Sequence, residues 1–83
     1  MVNSIKINRS AFRHGIQEDS IRRALRYPQY EAPLEDDERK YIVLGFDNSG
    51  NLLEVMYNLA DDNTINVFHA MKCRKTYYSL LNF

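Results

Sequence analysis

The 83-residue chain has room for one domain with one small core. Apolar residues are 45% and charged residues 27%, and the single cysteine and two histidines exclude a disulfide framework and a cysteine-rich zinc site. No apolar run reaches the roughly 18 residues of a membrane span, and the opening Met1-Val2-Asn3-Ser4-Ile5-Lys6 has no apolar signal stretch, so a cytoplasmic domain without a membrane partner is expected.

The zero net charge conceals a division. Residues 1–26 carry six bases against two acids, residues 27–62 nine acids against two bases, and residues 63–83 three bases and no acid. If the two ends meet in space they form one positive face, suited to phosphate, while the acidic middle suits a basic partner.

Taken in order, Ser4 to Asn8 alternates and reads as a short strand. Ser10 is an N-cap for a short helix through Arg13, closed by Gly15 in the left-handed region. A second helix follows, with Glu18 and Asp19 in its first turn, Arg22, Arg23 and Arg26 later, and a buried stripe of Ile21, Ala24 and Leu25. Pro28 forces Tyr27 out of helical geometry and stops it. Gln29 to Leu34 alternates weakly and contains Pro33, which admits an edge strand or none. Glu35-Asp36-Asp37-Glu38 reads as a solvated turn. Three strands follow, Lys40–Phe46, Leu52–Leu59 and Thr64–Met71, separated by Asp47-Asn48-Ser49-Gly50 and Asp61-Asp62-Asn63 turns. Arg74 to Leu81 reads as a C-terminal helix. The strands are apolar on both sides: Leu53, Val55, Tyr57 and Leu59 on one, Leu52 and Met56 on the other. Any apolar surface left uncovered is a candidate partner face.

Four places carry candidate chemistry. Lys72, Arg74 and Lys75 crowd the predicted start of the last helix, where the macrodipole disfavours cations; a bound phosphate would explain them. His14 and His69 are candidates because histidine is the side-chain type suited to proton transfer near neutral pH, as RNA cleavage needs: one would take the 2′-OH proton and the other protonate the leaving 5′ oxygen. The tyrosines at 41, 57, 77 and 78 serve packing or base stacking. Cys73 has only its basic neighbours to lower a thiol pKa.

The order of these pieces resembles a known family. Arg13-His14-Gly15-Ile16, followed by an acid-led helix ending at Pro28, resembles the opening of BrnT-type toxins. Glu38-Arg39-Lys40-Tyr41-Ile42-Val43-Leu44-Gly45, then Ser49 to Val55, is similar to that family's hairpin, and Asn66-Val67-Phe68-His69-Ala70 to its strand before the last helix. The resemblance covers residues 12 to about 78. It implies a compact RelE-like α+β domain acting as a metal-independent endoribonuclease that blocks translation. It also implies no cofactor, an RNA substrate, and a small antitoxin partner of the ribbon-helix-helix kind. By position, His14 matches the family's histidine before glycine, Lys40 and Tyr41 its Arg-Tyr pair, and Lys72 one of its basic residues after the strand. His69 stands where the family usually has serine, and Met71 where a basic residue is expected. Tyr77 and Leu81 replace an acid and a tyrosine.

The expectation is therefore an α+β domain over residues 1–83, with two N-terminal helices, an antiparallel sheet of three to four strands and a C-terminal helix in a RelE-like arrangement. Its catalytic set is His14, His69, Lys40 and Tyr41, with Lys72, Arg74 and Lys75 binding RNA phosphate. The alternative is a non-catalytic protein-binding module of the same fold.

Overall fold

The computed structural model describes residues 4–81. The chain is α+β, but its elements differ from those expected. Among the described residues, one α-helix, α1 (Glu18–Arg26), and five strands, β1 (Ser4–Ile7), β2 (Tyr30–Leu34), β3 (Asp37–Phe46), β4 (Leu52–Leu59) and β5 (Thr64–Lys72), account for the regular structure, with 3₁₀ segments at Arg9–Phe12 and Lys75–Leu81. The sheet is five-stranded and mixed, in the order β1-β5-β4-β3-β2, with β1 parallel to β5 and every other pair antiparallel. The expected pair of N-terminal helices, the wholly antiparallel sheet of three to four strands, the C-terminal α-helix and the RelE-like arrangement they composed are thereby corrected.

The reasons are local and tertiary. The first predicted helix shrinks to one 3₁₀ turn because Gly15, at φ +80°, ends it almost at once. Ser10 does not cap it; its hydroxyl donates to the Phe68 carbonyl at 2.9 Å and ties the turn to β5. At the other end, Tyr77, Leu80 and Leu81 must lie on the sheet beside Ile42 and Leu44, and the tighter 3₁₀ winding places them there. β1 pairs with β5 across 60 residues of chain, Ser4 opposite Thr64 and Ile7 opposite Val67, a pairing no local pattern announces. β3 begins at Asp37 rather than Lys40, so half of the acidic run belongs to a strand.

The helix α1 follows expectation. Glu18 and Asp19 open it, Glu18 accepts a hydrogen bond from Arg22 at 2.8 Å, and Pro28 confines it to nine residues. Ile21 and Ala24 are buried against β3 and β4. Gly45 permits this crossing: a Cβ there would stand 2.7 Å from the Ala24 carbonyl oxygen.

Two apolar layers flank the sheet. On the α1 side lie Ile21, Val43, Leu53, Val55, Val67 and Ala70, with Ala11 from the first 3₁₀ turn. On the other side Ile42, Leu44 and Cys73 meet Leu52, Met56, Tyr77 and Leu80. The N-terminal and C-terminal pieces thus split the two faces, but the C-terminal segment covers only part of its own.

Candidate functional site

The site grows from an interruption in β5. Met56 of β4 pairs with His69 while the next residue, Tyr57, pairs with Val67, so Phe68 is an extra residue bulged into the strand. β1 has already ended at Ile7, and the first 3₁₀ turn takes over the edge of β5: the Asn8 N–H donates to the Val67 carbonyl at 2.9 Å, one residue before the Ser10 bond to Phe68. This turn delivers His14 beside His69, their ring centroids 5.7 Å apart in an edge-to-face arrangement.

Beneath His69 lies Glu54. Leu53 and Val55 point into the α1 core, so alternation sends Glu54 to the opposite face, where it is completely buried. A lone carboxylate there would be costly, but this one is fully partnered. It accepts hydrogen bonds from the Arg74 backbone N–H at 2.8 Å, from Arg74 Nε at 3.1 Å and Nη2 at 2.7 Å, and from His69 Nε2 at 2.9 Å. Burial alone would raise its pKa; the Arg74 bonds and the His69 bond outweigh that and hold it below the usual carboxylate value. An ionised carboxylate only accepts, so His69 Nε2 carries a hydrogen toward Glu54, and Nδ1 is the ring nitrogen not engaged by it.

The expected site residues are therefore sorted by the sheet. His14 meets His69 edge-on, and His69 and Arg74 meet at Glu54, so side chains from positions up to 60 residues apart come together. Lys40 lies on the same face, its Nζ 5.8 Å from the centre of the Phe68 ring. Tyr41, one residue on, points the other way and stacks on Tyr57, centroids 5.0 Å apart. Tyr57 in turn donates to Glu31 at 2.5 Å, and burial with that bond raises its phenol pKa. Lys72 pairs with Leu53 on the α1 side, and Lys75 is exposed at the start of the C-terminal segment.

Arg74 and Cys73 both sit differently from what their sequence neighbours suggest. Arg74 does not stand at an α-helix N-terminus awaiting an anion; Glu54 already engages its Nε and Nη2, while Nη1 makes no hydrogen bond among the described residues. Cys73 sits in the apolar layer with Ile42 and Leu44, and burial pushes its thiol pKa up, away from nucleophilic character. Glu54 itself was not foreseen as a functional residue. Its one signal was an acid inside the apolar run Leu52-Leu53-Glu54-Val55-Met56. Among the described residues no three His, Cys, Asp or Glu side chains gather as a metal-binding group, and no helix is long and apolar enough to cross a membrane.

No family model matches the chain, and no curated protein or solved structure matches it.

Proposed function

We propose that the protein is an RNA-cleaving toxin of a type II toxin–antitoxin pair, similar to BrnT-type toxins, a metal-independent endoribonuclease acting in the cytoplasm to block translation and neutralised by a small ribbon-helix-helix antitoxin. The observation that carries this reading is the histidine pair: two imidazoles 5.7 Å apart, one of them oriented by a buried carboxylate.

In this reading His69 Nδ1 takes the proton from a ribose 2′-OH. The imidazolium that forms is stabilised by Glu54, which keeps its own charge. The 2′ oxygen attacks the adjacent phosphorus, and the bond to the 5′ oxygen breaks as His14, protonated, gives that oxygen its proton. The products are a 2′,3′-cyclic phosphate and a 5′-OH end. Arg74 Nη1 supplies positive charge to the phosphoryl oxygens, and Lys40 supplies it to a neighbouring phosphate.

The test is incubation of the purified protein with end-labelled RNA in EDTA. Cleavage leaving 2′,3′-cyclic ends is expected, and His14→Ala and His69→Ala should each slow it by about 10²–10⁴-fold. Intact RNA, or cleavage that both variants retain, would overturn the assignment. Induced expression should arrest growth, with relief by the antitoxin.

One observation favours the non-catalytic alternative. A groove of about 290 Å³ between β2 and the C-terminal segment, walled by Tyr30, Leu34, Ile42, Tyr77 and Leu80, offers an apolar seat for a protein side chain. Growth arrest without RNA cleavage would favour that reading.

A further inference from the structure

The register places four polar side chains in one row across four strands: Lys6 of β1 opposite Asn66 of β5, Asn66 opposite Asn58 of β4, and Asn58 opposite Lys40 of β3. Paired residues share a face of the sheet. The neighbours Ile5, Ile7, Val67, Tyr57 and Tyr41 all pack into the α1-side core, so the row lies on the opposite face, that of His69 and Glu54. The apolar cluster under the C-terminal segment reaches Ile42 and Met56 on β3 and β4 and does not include the row. His69 and its partner Met56 stand one pleat further along, about 7 Å by strand geometry.

The row is chemically particular. Asn66 Nδ2 donates to Asn58 Oδ1 at 3.1 Å, leaving the Asn66 carbonyl oxygen and the Asn58 NH₂ group without another hydrogen bond among the described residues. The amide pair therefore keeps one acceptor and one donor, groups that can meet a nucleobase edge. A cleft of about 310 Å³ opens over them between Lys6, Asn8 and Thr64. Asp62 also lines this cleft and accepts from the Thr64 N–H at 3.0 Å, which favours a neutral base there and leaves phosphate to the lysines. Phe68, with Lys40 over its ring, stands between the row and His69 in sequence and offers an aromatic face.

We propose that this row is the nucleotide-reading subsite of the RNA-cleaving site. One base of a single-stranded RNA lies against the Asn58 and Asn66 amides and the Phe68 ring. Lys6 and Lys40 neutralise the phosphates on either side, and the next phosphodiester falls at the histidine pair. The inference rests on the reading of His14 and His69 as an RNA-cleaving pair, and its test is chosen to be independent of cleavage.

The experiment is an anisotropy titration of labelled 2′-O-methyl homopolymers of the four bases, which lack the attacking hydroxyl, with the full chain at several salt concentrations. The wild type should prefer one base by about tenfold. Asn58→Ala and Asn66→Ala should each compress that preference to within about twofold. The exposed pair Lys6→Gln with Lys40→Gln should weaken binding to all four alike and reduce the slope of log K against log salt by about 1.4, two single-strand phosphate contacts. Equal affinity of the wild type for all four homopolymers would overturn the subsite, as would unchanged binding by the lysine pair. So would loss of a protein partner, with RNA binding intact, in that same pair. A base preference that depends on the asparagines, in a chain that leaves RNA intact, would sustain the row and remove the cleavage reading. Cleavage whose base preference survives both asparagine changes would do the reverse.

Discussion

The two faces of the sheet are built on different principles. The α1 face is a closed apolar layer in which Leu53, Val55, Val67 and Ala70 are fully buried and a helix crosses close enough to require glycine at position 45. Among the described residues, the buried apolar cluster of the opposite face lies under the C-terminal 3₁₀ segment. Beyond it lie a buried carboxylate with its arginine and histidine, and then an open row of lysines and amides. Stability on the first face comes from area removed from water. On the second it depends on each polar group keeping its partner, which constrains geometry more tightly than it adds free energy. A site can be carried on the second face because the first supplies the stability.

This contrast can be broken by mutation. The largest effect should come from the closed face: Leu53→Ala should cost about 2–5 kcal/mol in a denaturant titration, because the site is fully enclosed and collapses little. An unchanged midpoint would show that the α1 core is not the stabilising layer. Arg74→Gln should cost less, about 1–3 kcal/mol, by stranding the Glu54 carboxylate. The fully buried ion-pair figure does not apply, since half of the Arg74 side chain is exposed to water that can partly replace it. From the sequence, Arg74 was a cation disfavoured by a helix dipole; in the fold Glu54 gives it a stabilising partner.

Acid sharpens the comparison further. The Glu54 pKa is lower folded than unfolded, so its contribution is present above the ordinary carboxylate value, about 4.3, and is lost as the pH falls through the folded value. The wild-type melting temperature should therefore fall more steeply below about pH 4.3 than that of Glu54→Gln, whose amide does not titrate. Parallel curves would mean that Glu54 does not bear charge in the fold. The smallest effect belongs to the open row: Lys40→Gln should move stability by under about 0.5 kcal/mol while weakening RNA binding. A large loss of stability would make Lys40 a packing residue.

Much of the fold was legible because its signals are local. The β3–β5 meander follows from alternation between two turn-rich segments, α1 from its acid-to-base order, and its end from Pro28. The candidate site was legible only in part. Histidines 14 and 69 stood out by residue type, yet nothing near either announced the other. Lys40 and Tyr41 were grouped by resemblance, although neighbours on a strand must face opposite ways, and here one meets Phe68 and the other Tyr57.

The sequence by itself determined which segments alternate, which helix is amphipathic and where turns fall, because backbone sterics and side-chain period act over a few residues. Tertiary structure alone decided the parallel pairing of β1 with β5, the 3₁₀ winding of the C-terminal segment and the burial of Glu54 between Arg74 and His69. Each of these depends on surfaces brought together across 15 to 60 residues. Their free energy comes from desolvation and hydrogen bonds that do not exist until both partners have arrived.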